Sequence, residues 1–152
     1  MNKPQRRLGE ILRDRKLITE EQLEEALREH ARTGEFLGMI LVNSGIISEL
    51  ALLEVLAEQF GLLVVSLKDR YIDWELVKTF SPSLVLEAKC FPLSRDKWSV
   101  TMAIVNPLDA WVIKRAEEEA FPLRLKLALT LRSDMMEVVQ RYKQYIRGEI
   151  TD

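Results

Sequence analysis

Residues 7–30 read RLGEILRDRKLITEEQLEEALREH, and residues 36–59 read FLGMILVNSGIISELALLEVLAEQ. Laid over one another at a shift of 29, ten of the 24 positions are identical: Leu8/Leu37, Gly9/Gly38, Ile11/Ile40, Leu12/Leu41, Ile18/Ile47, Glu20/Glu49, Leu23/Leu52, Glu25/Glu54, Leu27/Leu56 and Glu29/Glu58. Leu17/Ile46, Thr19/Ser48 and Ala26/Val55 are conservative pairs. Self-similarity at a fixed period means one supersecondary unit used twice. Each copy predicts helix, turn, helix. In the first, Leu8, Ile11 and Leu12 share a face at i, i+3, i+4 spacing. Lys16-Leu17-Ile18 makes the turn. Thr19 and Gln22 form a capping box, in which the hydroxyl takes an orphan amide and the amide side chain reaches back. In the second copy Gly45 supplies the turn and Ser48 the cap. Neither hairpin buries its apolar stripe alone, so the two predict a compact four-helix unit over residues 1–60.

Beyond Gly61 the pattern changes. Residues 62–65, LLVV, predict a short buried strand. Ser81-Pro82 places a cap and an N1 proline before a helix over 82–88. Residues 90–94 and 98–105 predict a hairpin turning at Arg95-Asp96-Lys97. Asn106-Pro107 repeats the cap-then-proline signal and opens a helix over 107–119, with Asp109 in its first turn. Residues 123–131 alternate leucine with other residues, as a half-buried strand does. Ser133 caps a last helix over 134–147. Residues 61–147 are thus expected to form a small α/β sandwich, its sheet mixed or antiparallel, with helices on one face. Residues 148–152 are a polar tail. The fold class is α+β.

Composition narrows the function. The 152 residues carry 22 Lys plus Arg against 24 Asp plus Glu, a formal charge of −2, which argues against a nucleic-acid binder. No apolar run approaches the ~20 residues that span a bilayer. The N-terminus MNKPQRRLGE has no apolar h-region, so a secretory signal is not expected and a cytoplasmic location is. One cysteine and one histidine make no zinc cluster. Cys90, in KCFPL, reads as a buried thiol rather than the nucleophile of a pair with His30. The six glycines form neither GxxxxGK[ST] nor GxGxxG, so no phosphate loop is expected, and no spacing suggests the convergent polar cluster that an enzyme needs, so no enzymatic activity is expected. Residues 1–16 hold six basic and two acidic residues; residues 17–59 hold two basic and nine acidic. The basic start suits an anionic ligand or an anionic membrane surface, but it is also the common look of a solvated N-terminal helix, the reading preferred here. Trp74, Trp98 and Trp111 are candidates either for a partner surface or for the core.

The paired motif resembles the duplicated 24-residue unit in the N-terminal domain of type II secretion and type IV pilus assembly ATPases. That family's pattern is Arg-Leu-Gly, two apolar residues, Gly, two apolar residues, then Leu, Leu and a final Gln, in two copies separated by five residues. Here residues 31–35 are the spacer. FGLLVVSL, the C-F-P-L strand and TMAIVNPLD resemble the family's continuation, so the likeness covers about residues 6–146. The departures are Arg13 for an apolar residue, Lys16 for Gly and His30 for Gln in the first copy, and Phe36 for Arg in the second. The resemblance implies a non-catalytic regulatory or protein-interaction module that docks an assembly ATPase to its inner-membrane partner. The alternative it implies is a cyclic di-GMP receptor, since a subset of the family binds that dinucleotide. No cofactor is implied otherwise. No nucleotide-hydrolysis motif is present, so the chain is expected to be an excised domain or a free-standing copy working in trans.

Carried over residue by residue, the ligand positions are Arg7, Leu8, Gly9, Leu12 and His30 in the first copy, and Phe36, Leu37, Gly38, Leu41 and Gln59 in the second. Arg7 pairs with a phosphate or guanine edge or stacks on a base. The glycines admit the ligand to the backbone, and the leucines form an apolar floor. Phe36 stacks a base but neutralises no phosphate. His30 donates in place of Gln if its tautomer allows. Against each stands a structural role: glycines for close helix packing, Phe36 as core, Arg7 as a solvated first-turn residue.

Overall fold

The computed structural model describes residues 3–149 and divides into two compact units, Met1–Gln59 and Phe60–Asp152. The first holds four helices: α1 (Lys3–Asp14), α2 (Glu20–Thr33), α3 (Leu37–Asn43) and α4 (Glu49–Phe60), whose last residue crosses the boundary. Gln5, Leu8, Gly9 and Leu12 form the buried stripe of α1. Leu37, Gly38, Ile40 and Leu41 repeat it on α3. The capping box at Thr19 is complete: its hydroxyl accepts from the Gln22 amide at 3.1 Å, and the Gln22 side chain accepts from the Thr19 amide at 2.9 Å. Ser48 caps α4 through the Ala51 amide.

The two turns are the same structure. After α1, Lys16 N–H donates to the Arg13 carbonyl and Leu17 N–H to that of Leu12. After α3, Gly45 donates to Val42 and Ile46 to Leu41. Both are Schellman closures with a left-handed residue at the turn, φ 61° at Lys16 and 74° at Gly45. Glycine reaches that conformation without penalty, whereas a lysine is strained there.

The second unit is built on a mixed sheet of order β1-β4-β3-β2, from β1 (Leu63–Val64), β2 (Phe91–Arg95), β3 (Ser99–Ile104) and β4 (Arg124–Leu129). β4 pairs parallel with both β1 and β3, and β2–β3 is the expected antiparallel hairpin. Helices α5 (Trp74–Val77), α6 (Pro82–Leu86), α7 (Ala110–Ala120) and α8 (Arg132–Ile146) cover it.

Five details differ from the sequence expectation. The helices lie on both faces, because a parallel β3–β4 step needs a crossover helix, α7. On one face Phe91 and Ala103 join the core of Trp74, Val85, Met135 and Val139. On the other, Ile104 and Val112 of α7 line a common cavity of about 180 Å³. Second, β1 is a two-residue edge, and Leu63 is 76% exposed instead of buried. Third, α7 starts at Ala110. Asn106 Oδ1 accepts from the Leu108 amide, which turns the chain once more before Asp109 caps the helix through Val112 N–H. Fourth, Ser133 caps nothing; α8 begins at Arg132 behind Leu131. Asp134 in its first turn instead accepts from the Leu67 amide at 2.8 Å and anchors the segment after β1. Fifth, α5 was not foreseen: four residues are too few to show a period, though Asp73 caps it through Leu76 N–H. The end of the expected tail, residues 150–152, lies outside the described residues.

Ser81 ties α6 to α7. Its amide and hydroxyl donate to the Glu119 carboxylate at 2.8 and 2.5 Å, while its oxygen accepts from Leu84 N–H. Burial works to raise the Glu119 carboxyl, but the Ser81 bonds and Arg115 outweigh it and hold it below the ordinary value.

Two predictions follow from this geometry. Replacing Lys16 with glycine relieves the left-handed strain, partly offset by a floppier unfolded chain, and should stabilise the protein by about 0.5–1 kcal/mol in urea titration. A loss of stability would mean that the lysine side chain contributes more than its backbone costs. Glu119→Gln should cost about 1 kcal/mol at neutral pH. A depressed folded-state carboxyl stabilises above the unfolded-state pKa and loses that stabilisation as pH falls through the folded-state value. The gap between wild type and Glu119→Gln should therefore close in acid; a pH-independent gap contradicts this account.

Candidate ligand-binding site

The ten carried-over positions divide sharply by exposure. Leu8, Leu12, Leu37 and Leu41 are core side chains with essentially no accessible surface. Gly9 and Gly38 are buried as well. A Cβ on Gly9 would stand 2.3 Å from Leu23 Cδ1 and 2.9 Å from Leu37 Cδ2. A Cβ on Gly38 would stand 2.8 Å from Leu52 Cδ2. Leu23 and Leu52 are themselves repeat-equivalent, so each glycine lets the leucine of the following helix sit on its backbone. These six positions form the packed frame.

The polar and aromatic positions lie outside that frame. Arg7 is exposed on α1 and makes no hydrogen bond or ion pair among the described residues. Gln59 is exposed at the end of α4. Phe36 is half-buried and is the N-cap residue of α3, without a side-chain cap bond. His30 is half-buried near the end of α2, and its Nδ1 lies 2.6 Å from the Glu35 carbonyl oxygen. A carbonyl only accepts, so Nδ1 carries the proton and the neutral ring presents Nε2 as an acceptor. Donation by His30 in place of a glutamine amide therefore requires the imidazolium.

One residue of the frame escaped the sequence reading. Gln5 is 1% exposed, and its Oε1 accepts from the Leu37 amide at 2.7 Å, joining α1 to the start of α3. Its Nε2 is buried without a partner among the described residues. The signal was present: Gln5 precedes Leu8 by three residues and Gly9 by four, on the buried stripe.

Grooves on the helical unit include two of similar size. One, of about 340 Å³, is lined by Glu25, Glu29 and Glu35 with Asn43. The other, of about 330 Å³, runs over Leu23 and Leu27 between Arg6, Glu10, Arg13 and Arg28. Neither is lined by Arg7, His30, Phe36 or Gln59.

In the second unit the Cys90 thiol is buried 3.4 Å from Met102 Sδ. Burial, with the negative charge of Glu119, pushes it up to about 12, so it is no nucleophile. Trp74 is core, stacked on Tyr145 at 4.4 Å. Trp98 and Trp111 are exposed. Among the described residues no cluster of three metal-ligating side chains occurs, and no helix is long and apolar enough to cross a membrane.

Residues 60–149 match the family model of the MshEN domain, and the chain belongs to that family. The matched residues are the second unit; the duplicated motif precedes them. Curated relatives extend over both. The chain is 30% identical over 115 residues to the type IV pilus assembly ATPase PilB of Thermus thermophilus, covering 74% of this chain and 13% of that protein. It is 38% identical over 143 residues to bacteriophage adsorption protein B of Escherichia coli, covering 94% of this chain and 19% of that protein. The chain thus spans less than a fifth of the length of these relatives. Among solved structures, MshE with cdg superposes with a TM-score of 0.81 at 24% identity, covering 89% of this chain and 97% of that one. The N-terminal domain of XpsE gives 0.70 at 22% identity, covering 93% and 96%. The helical unit followed by a mixed-sheet unit is therefore the shared fold of these domains, and the chain resembles regions of secretion and pilus ATPases.

The packing role of the glycines has a measurable consequence. Gly9→Ala should lower stability by about 2 kcal/mol, the cost of overpacking a filled core, and Gly38→Ala by less. Thermal unfolding of the ligand-free protein reads this directly. Alanine accepted at both positions without loss would remove the packing assignment.

Proposed function

We propose that this chain is a non-catalytic regulatory module that binds cyclic di-GMP through the duplicated motif. The observation that carries the reading is Arg7: a cation at the motif's leading position, exposed and without a partner among the described residues, on a helix held by the Gly9 contact. A dinucleotide with two phosphates and two guanines needs such a donor, and the guanidinium meets a phosphate or a guanine edge with two parallel hydrogen bonds. The ligand set that reaches solvent is exposed Arg7 and Gln59 with half-buried His30 and Phe36. Neutral His30 Nε2 accepts from a guanine N–H, and Phe36 offers a ring face to a base. Leu8, Gly9, Leu12, Leu37, Gly38 and Leu41 position that set from beneath. The fold shared with MshE, whose structure was solved with cdg, supports the reading.

The output is a change in how the module engages the larger machine that carries it. The likeness to PilB favours an assembly ATPase and its inner-membrane partner at the cytoplasmic face. The likeness to bacteriophage adsorption protein B favours the same module serving a different machine.

Calorimetric titration with cyclic di-GMP, with GTP and ATP as controls, tests the binding. Micromolar or tighter affinity is expected, with Arg7→Ala losing about tenfold or more, the worth of a charge-assisted pair. Phe36→Arg, which restores the missing second cation, should tighten binding by a similar factor. Absence of heat at high cyclic di-GMP concentration would sink the proposal.

A further inference from the structure

The parallel register Ser99↔Arg124 sets the starts of β3 and β4 side by side. Two loops therefore reach the same end of the sheet: the β2–β3 hairpin with Trp98, and the α7–β4 turn with Phe121. Trp98 is 74% exposed and Phe121 81%. The loops are joined directly, since the Arg124 amide donates to the Trp98 carbonyl at 2.9 Å.

Cations surround this pair. Lys97 Nζ lies 5.2 Å from the centre of the Trp98 ring. Arg95 donates to the Asp96 carbonyl at 3.2 Å. Arg124 and Lys126 are exposed on the same side of β4, two residues apart. The carboxylate within the corner, Asp96, is committed to the turn. It accepts from the Trp98 and Ser99 amides and the Ser99 hydroxyl, and these bonds, with Lys126 adding to them, hold it below the ordinary carboxylate range. Glu117 and Glu118 stand one turn back along α7. The corner thus presents two large rings among four cations on a chain whose net charge is −2.

We infer that this corner docks the module directly on an anionic lipid surface. Charge complementarity selects the occupant. An indole such as that of Trp98 settles at the headgroup level, a phenyl ring such as that of Phe121 enters the apolar boundary beside it, and lysine and arginine next to them meet lipid phosphates. A single-stranded nucleic acid needs a groove of successive stacking rings, and here the rings stand on two separate loops. The inference is independent of the proposed dinucleotide site, because the corner belongs wholly to the second unit.

Sedimentation with vesicles tests it, comparing pure phosphatidylcholine with phosphatidylcholine containing phosphatidylglycerol. The protein should partition to the anionic vesicles alone and be released by salt. Each cation reversed, Lys97→Glu or Lys126→Glu, should weaken partitioning about fivefold or more, and Trp98→Ser with Phe121→Ser about tenfold or more. These are exposed positions, and unchanged melting temperatures verify folding. In a Trp111→Phe background the Trp98 emission should shift to the blue with anionic vesicles. Failure to sediment with anionic vesicles overturns the inference. So does equal partitioning of the reversed or serine variants, or retention on polyglutamate or single-stranded DNA in place of lipid.

Discussion

At Gly9 and Gly38 the following helix sets a leucine so close to the backbone that a Cβ on the glycine would collide with it. Leu23 occupies the space over the first glycine and Leu52 the space over the second. The rest of the helical unit depends on these two contacts. They close α1 on α2 and α3 on α4, while Gly9 also meets Leu37 of α3; four leucines are buried in this frame, and Gln5 reaches the first amide of α3. A buried amide left without a partner would cost about 1–3 kcal/mol, so the Gln5 contact fixes where α3 can begin. The exposed positions inherit their places from this frame. Arg7 lies one residue from a fully buried leucine and two from the glycine, so its helix cannot rotate without breaking the contact beneath.

That arrangement explains what sequence reading could and could not reach. The four helices, the Thr19 and Ser48 caps and the two turns were legible because each is decided locally, by a period of 3.6, a hydroxyl or a turn residue. The hairpin and the alternating strand, expected over 123–131 and found as Arg124–Leu129, were legible for the same reason. The failures involve choices among local signals or partners distant in sequence. Asn106 and Asp109 are both good caps three residues apart, and nothing nearby says that Asn106 will spend its oxygen on a turn. Asp134 was overlooked beside Ser133 because its partner, the Leu67 amide, is 67 residues away. LLVV looks like an interior strand, yet its burial depends on sheet order, which placed it at the edge.

The candidate site shows the same division. The motif named the positions, but the sequence could not sort the six that build the frame from the four that reach solvent. Glycine and leucine beside an arginine suit a backbone cradle and a helix crossing equally well. Only the 2.3 Å separation at Gly9 identifies the crossing. Likewise His30 in place of glutamine looked like a donor for a donor until the Glu35 carbonyl claimed its Nδ1 proton.

The departures from the repeat are not of one kind, and position 16 shows why. There the turn keeps its left-handed backbone although glycine has become lysine. The Schellman bonds and the burial of Ile18 hold the geometry against a local cost of about 1–2 kcal/mol. Shape at this position is imposed by the surrounding packing, so its residue can drift. A charge cannot be imposed in that way. Phe36 in place of arginine leaves the backbone at the start of α3 undisturbed, yet correct backbone geometry does not restore the guanidinium it lacks. In the proposed binding mode the two halves of a symmetric ligand then meet unequal partners, a cation with an acceptor on one side and an aromatic ring with a glutamine on the other. Affinity should therefore be governed by Arg7, with the second copy contributing stacking and register rather than charge.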